Sequence, residues 1–293
     1  MVTARARASV RALPSVRALP SVRAVRALAP AMGAIPLALP LLVVLAGCAA
    51  RLPPDAHVPP LARVPFEPFS RQSAVAIALR EWRAFGSPVN DDPPDTRPPR
   101  AAEDKPERQP GLWQRVGEYW WLGQNAGRRE SAWTGRHDAR GVPFPDERDG
   151  DYAWSAAFIS YVLRAAGARG GFPYSPSHAA YINAARLRSP GLAIRAERPE
   201  AYAPQPGDLI CAGRLSAREL AYDDLPAAEF PAHCDIVVDA SSGALTVVGG
   251  NVEDAVSMKH VPVTGDGTLA GPDGRVLDDR YPWFVVIRVL YDE

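Results

Sequence analysis

An α+β fold is expected for this chain of 293 residues, on two observations. Helical periodicity is confined to the part before Pro204, and β-branched or apolar runs bounded by Gly, Pro or Asp follow it. Helices first and strands after them favour segregated layers over alternating βαβ units. The length allows one or two domains with a substantial core. Apolar residues make up 47% and charged residues 23%, which excludes a wholly disordered chain.

The first element is read as an address. Residues 1–47 carry six arginines and no acid. Ile35–Ala46 is an apolar run of twelve residues, the length of a signal-peptide h-region. It is short of the roughly 20 residues that span a bilayer as a helix, and Pro36 and Pro40 further weaken a helix there. The tetrapeptide Leu45-Ala-Gly-Cys48 that follows resembles the lipobox of bacterial lipoproteins. The resemblance implies cleavage before Cys48, lipidation of its thiol and a membrane anchor through the lipid. Ala49 in the next position favours the outer membrane, facing the periplasm. A six-residue repeat, Ser9–Pro14 and Ser15–Pro20, matches no repeat architecture.

Without the leader, 27 basic residues face 33 acidic ones, a formal charge of −6. That argues against a nucleic-acid partner bound through a basic face. Three cysteines exclude a disulfide-framework scaffold and a four-cysteine zinc site. His57 and His137 stand isolated, so no metal site and no cofactor is expected.

Residues 48–69 are rich in proline and read as a tether. A single domain is expected over 70–293. Val75, Leu79 and Trp82 predict a helix from Ser70, its N-cap, to Phe85. Residues 87–110 hold seven prolines and read as a loop. Leu112–Gln124 is a second helix, with aromatics suited to core packing. Phe158, Ile159, Val162, Leu163 and Ala166 form one stripe of the strongest helix, 154–166, which Gly167 ends. Ser177–Arg188 is a short fourth helix. Strands are expected at Asp208–Ala212, Asp235–Asp239, Leu245–Val248 and Phe284–Tyr291.

Three segments carry the candidate chemistry. Ser155 falls in the first turn of the strongest helix, on its buried side, beside free backbone N–H groups and the positive helix end. An ordinary first-turn serine is the competing reading. Pro206-Gly-Asp208 is a turn feeding a strand. His233-Cys-Asp235 opens the next strand and leads through a turn near Ser242 to Gly249-Gly-Asn251. Period-two alternation puts His233, Asp235 and Val237 on one face and Cys234 on the other. A hairpin centred there sets His233 opposite Asn251, where Asn251 would orient the imidazole. Asp235 is the alternative orienting group.

This order resembles the CHAP and NlpC-type papain-like amidases and peptidases: a helix-start nucleophile, then Pro-Gly-Asp and a strand, a strand-borne histidine, and Gly-Asn on the following strand. Locally, Trp154–Ser160, Tyr174–Ile182, Gly207–Cys211 and His233–Val237 are similar to the bacterial domain-of-unknown-function 2272 family. The resemblance implies a papain-like topology with Ser155 as nucleophile, His233 as base and Asn251 as third residue. It also implies an amide or peptide substrate, most naturally peptidoglycan. The departure is Ser155, where those enzymes carry cysteine. A serine is not preionised by a helix dipole and needs a base during attack. A binding-only descendant that holds a cell-wall fragment or partner protein is the alternative, and a lipid acyl hydrolase or transferase is a third. Trp154 and His178 are candidate substrate contacts, with His178 also an alternative base. The resemblance makes the strands of Cys211 and Cys234 neighbours, which leaves a disulfide or two buried thiols.

Overall fold

The computed structural model describes residues 68–94, 96, 98–125, 142, 152–241 and 243–292. The leader, Cys48 and nearly all of the tether lie outside them. Among the described residues the chain is α+β, with four α-helices and one six-stranded antiparallel sheet. No helix among them is long and apolar enough to cross a membrane.

The helices are α1 (Arg71–Ala84), α2 (Leu112–Leu122), α3 (Ser155–Ala165) and α4 (His178–Arg186). Each falls within two residues of its predicted bounds. Ser70 caps α1, its side chain accepting the Ser73 N–H at 3.2 Å. The nine residues Ser155–Leu163 of α3 are all buried, so this helix is enclosed by the others and the sheet.

The strands are β1 (Ile194–Glu197), β2 (Leu209–Gly213), β3 (Ala232–Asp239), β4 (Ala244–Val252), β5 (Ala255–Pro262) and β6 (Trp283–Val289). Their order across the sheet is β1-β6-β2-β3-β4-β5. The last strand therefore lies between β1 and β2, pairing Val289 with Ile194 and Ile287 with Leu209. Strands β1 and β5 were not expected. The first is a four-residue edge strand, and the second interrupts its apolar residues with Ser257, Lys259 and His260.

Alternation divides the sheet between two apolar clusters. Cys211, Cys234, Ile236 and Val248 pack with the helices. Ile210, Ala212, Val237 and Val247 pack on the other face with Val261, Leu269 and Trp283. A fully buried residue of this size contributes about 1.5–3 kcal/mol. Gly250 lets α3 approach the sheet: a Cβ there would stand 2.5 Å from Phe158 Cβ. Cys211 and Cys234 are paired in register across β2 and β3 and joined by a disulfide.

One buried carboxylate ties three helices together. Glu81 on α1 is 0% exposed. It accepts bonds from Arg115 Nε at 2.7 Å and Tyr119 Oη at 2.8 Å, both on α2, and from Tyr161 Oη of α3 at 3.2 Å. Burial alone pushes Glu81 up, but the bonds from Arg115, Tyr119 and Arg80 outweigh it and hold the carboxyl below its ordinary value.

Candidate active site

The start of α3 sets Ser155 against α4. Trp154 precedes it as N-cap residue, and no side chain caps the first turn. Among the described residues the leading N–H groups of α3 therefore meet no side-chain cap. Ser155 Oγ lies 2.7 Å from His178 Nε2, and both residues are about 95% buried. His178 opens α4, and Tyr181, one turn on, bonds its Nδ1. Burial and the neighbouring His233 push the His178 imidazolium down, so the ring is neutral near pH 7.

His233 does not contact Ser155 by any hydrogen bond among the described residues, which corrects the expected pairing. The reason is alternation. Cys234 takes the helix-facing side of β3, so His233 and Asp235 emerge on the other side with Val237. His233 Nε2 is 2.8 Å from Asp235 Oδ1, and Asp235 Oδ2 pairs with Lys259 of β5. Burial raises the Asp235 carboxyl, but Lys259 and His233 together carry it far below the ordinary range. A carboxylate only accepts, so Nε2 carries the proton. His233 Nδ1 is buried and has no hydrogen-bond partner among the described residues. Burial lowers the His233 pKa more than Asp235 raises it, leaving the ring neutral and Nδ1 a bare acceptor. The two imidazole rings stand 5.5 Å apart, centroid to centroid, at the end of the sheet.

Asn251 does not orient His233. The expected hairpin register is present at Ile236–Val248 and Val237–Val247. At Asn251, however, the backbone is left-handed (φ 54°), and the β4–β5 register shifts between Gly249 and Val252. No side-chain hydrogen bond links Asn251 to His233 among the described residues. Asp235 holds the ring, and Gly249 makes room for it: a Cβ there would lie 1.8 Å from Asp235 Oδ1.

Trp154 is also corrected. It is 1% exposed, donates to Glu107 and packs near Phe85 and Tyr119, so it is a core residue and not a groove wall. Tyr181, Lys259 and Arg214 were not singled out in the sequence. Spacing offered a signal for two of them: Tyr181 follows His178 by one helical turn, and Lys259 alternates with Val261 onto a buried face.

Two cavities meet here. A groove of about 820 Å³ is lined by Ser155, His178, Arg214, Glu229, Phe230 and Asn251, among others. A chamber of about 300 Å³ is lined by His233, Arg214, Arg218, Lys259, Glu253 and Tyr281, among others. Arg214, Leu215, Asn251 and Glu253 border both. Among the described residues no cluster of three or more His, Cys, Asp or Glu is arranged to hold a metal.

Residues 107–289 match the model of a family described as an uncharacterized protein conserved in bacteria, DUF2272. No curated protein and no solved structure matches the chain.

Proposed function

This chain belongs to the DUF2272 family, and from that premise we propose that it is a serine-dependent hydrolase of amide bonds in the cell wall, built on a papain-like plan. The single observation that carries the reading is the 2.7 Å contact between Ser155 Oγ and His178 Nε2 on the wall of an 820 Å³ groove. Anchorage to the outer membrane through Cys48 belongs to the same proposal and rests on the leader pattern.

The chemistry follows from the donors present. Ser155 Oγ attacks the amide carbonyl while His178 Nε2 takes its proton. The carbonyl oxygen becomes an oxyanion, and the N–H groups at the start of α3, which no described side chain caps, stabilise it. His178 then gives the proton to the leaving amine as the C–N bond breaks. Water, deprotonated by the same nitrogen, hydrolyses the ester on Ser155 and restores the hydroxyl. The reactive tautomer of His178 carries its proton on Nδ1 and donates it to the Tyr181 oxygen. His233 and Asp235 sit behind this pair and shape its field.

The binding-only reading has one observation in its favour. Tyr181 O–H has a single acceptor among the described residues, His178 Nδ1. Donation there places the imidazole proton on Nε2, facing Ser155, and His178 then cannot take the serine proton. Incubating purified sacculi with the protein, with Ser155→Ala and with His178→Ala decides between them. Fragments released by the native protein alone, read by mass spectrometry, are the expected result. Absence of release, with the protein retained on the sacculi, would establish the binding module instead.

A further inference from the structure

The most exposed large apolar side chain among the described residues is Leu215, at 86%. Exposure alone carries little, since single surface leucines are common. Its backbone and its place add to it. Leu215 is left-handed (φ 48°), a conformation that costs free energy in any residue with a Cβ and is usually given to glycine, asparagine or aspartate. Other left-handed positions around the groove have a local reason. Glu253 and Asp254 make the two-residue turn between β4 and β5, and Asn251 is of a type that tolerates the conformation. Leu215 has no such reason. It follows Arg214 in a turn closed by the Ala217 N–H on the Arg214 carbonyl at 2.8 Å, and the Arg214 N–H donates to the Pro231 carbonyl at 3.0 Å. Gly213 lets this turn fold back on the end of β2: a Cβ there would lie 1.9 Å from the Ala217 oxygen. The backbone of the turn is thus fastened while its leucine stands in solvent, on the border of the groove that holds Ser155. Strain that buries nothing, held beside a cavity, points to a ligand rather than to the fold.

We propose that Leu215, with Phe230 and Pro231, is the specificity contact of the groove and takes one uncharged aliphatic side chain of the amide substrate. The choice of an amide substrate rests on the hydrolase reading above. Continuity favours this occupant. Ser155, Leu215, Phe230 and Pro231 all line one groove of about 820 Å³, and the backbone bond from Arg214 to Pro231 ties the turn of Leu215 to the segment of Phe230. An aliphatic side chain seated there covers the leucine that the fold leaves bare, and each methylene group removed from water adds to affinity. A carboxylate or ammonium set against the same apolar atoms would lose hydration without replacement.

Two measurements on the whole protein test this. In thermal unfolding, Leu215→Gly is expected to raise Tm by about 1–3 °C, because glycine relieves the left-handed strain and no burial is lost. In calorimetric titration of protein carrying Ser155→Ala, which prevents turnover, the probes are acetyl-leucyl-leucinamide and acetyl-seryl-serinamide. Both residues of each probe are alike, so the result does not depend on which side of the scissile bond the contact lies. The leucine probe is expected to bind about tenfold more tightly, and adding Leu215→Gly is expected to bring that preference below about threefold. Equal binding of the two probes, binding of neither, a preference that survives Leu215→Gly, or a lowered Tm in that variant would overturn the proposal. So would a dimer, or attachment to phosphatidylglycerol vesicles, that Leu215→Gly abolishes, since the leucine would then serve a second copy or a lipid surface. Serine-dependent hydrolysis of sacculi is read in its own assay and can survive each of these results. Its absence, with the leucine preference intact, would remove the hydrolase reading alone.

Discussion

Glu81 and Asp235 are both fully buried carboxylates held ionised by cations and hydrogen bonds, yet they do different work. Glu81 is closed on every side. Arg80, Arg115, Tyr119 and Tyr161 crowd its two oxygens and belong to three helices. Asp235 is closed on one side by Lys259 and on the other by His233, whose far nitrogen has no partner among the described residues. A buried polar network that is fully satisfied acts as a brace. One that ends in an unfilled acceptor is an open chain of bonds, and its last member, His233, keeps a hydrogen-bonding position in reserve. Burial and charge alone do not separate the two cases; the count of filled hydrogen-bond positions does.

Breaking the closed cluster should have the largest effect on stability. Glu81→Ala leaves Arg115 without its buried partner and is expected to cost about 3–5 kcal/mol in urea denaturation. The proposed activity of the remaining folded protein should be unchanged. A matching loss of kcat in folded protein would dissolve the contrast.

The disulfide braces the open side, since it joins β2 to β3 directly behind Ala212 and His233. Cys211 and Cys234 are 23 residues apart, and releasing that loop is expected to cost about 3 kcal/mol on the chain-entropy view. The comparison is thermal unfolding of the oxidised protein against a Cys211→Ala, Cys234→Ala variant.

Asp235→Asn is expected to cost less, about 1–3 kcal/mol, because the amide keeps the size of the carboxylate and its oxygen still accepts from His233. Its effect should instead fall on the proposed activity, which distinguishes it from Glu81→Ala.

Acid titration sharpens the same contrast. Both carboxyls are lowered on folding, so each adds stability that is complete above its unfolded value, about 4. That stability is lost as pH falls through the folded values. Glu81→Gln should flatten the acid limb of the stability curve. Activity should fail differently. The His178 imidazolium is disfavoured by burial, so the acid limb of kcat/KM is expected below the ordinary histidine value of about 6.5. A limb at or above that value would exclude this buried ring as the base.

The smallest effect is the control. Asp91 pairs with His260 on the surface, both side chains more than 40% exposed. Asp91→Asn should change stability by less than about 1 kcal/mol.

The sequence made local structure legible and long-range structure only in part. All four helices were readable because their apolar stripes and stops are written within one segment. Strands β2, β3, β4 and β6 were readable from their β-branched runs. The edge strand β1 was too short to show a period, and Lys259 disguised β5 because a buried lysine counts as polar in any pattern. The insertion of β6 between β1 and β2 leaves no trace in either segment. At the site, Ser155, His178, His233 and Asp235 were all named, and the structure gathers them. Their pairing was not readable. It depended on which face of β3 turns to α3, and alternation fixes only that His233 and Cys234 are opposite. Asn251 departs from its expected place because a left-handed residue at a register shift breaks the strand period.

The position of β6 bears on how the chain is made. A ribosome delivers residues in order, and β6 (Trp283–Val289) emerges after the other five strands. Until it emerges, β1 has no neighbour and β2 has an open edge. The nascent protein therefore cannot close its sheet until β6 has emerged, and the other five strands wait with the ladders on either side of β6 unmade. A premature stop before Trp283 would remove the strand that holds β1 to the rest of the sheet, and would leave two unpaired edges open to other chains.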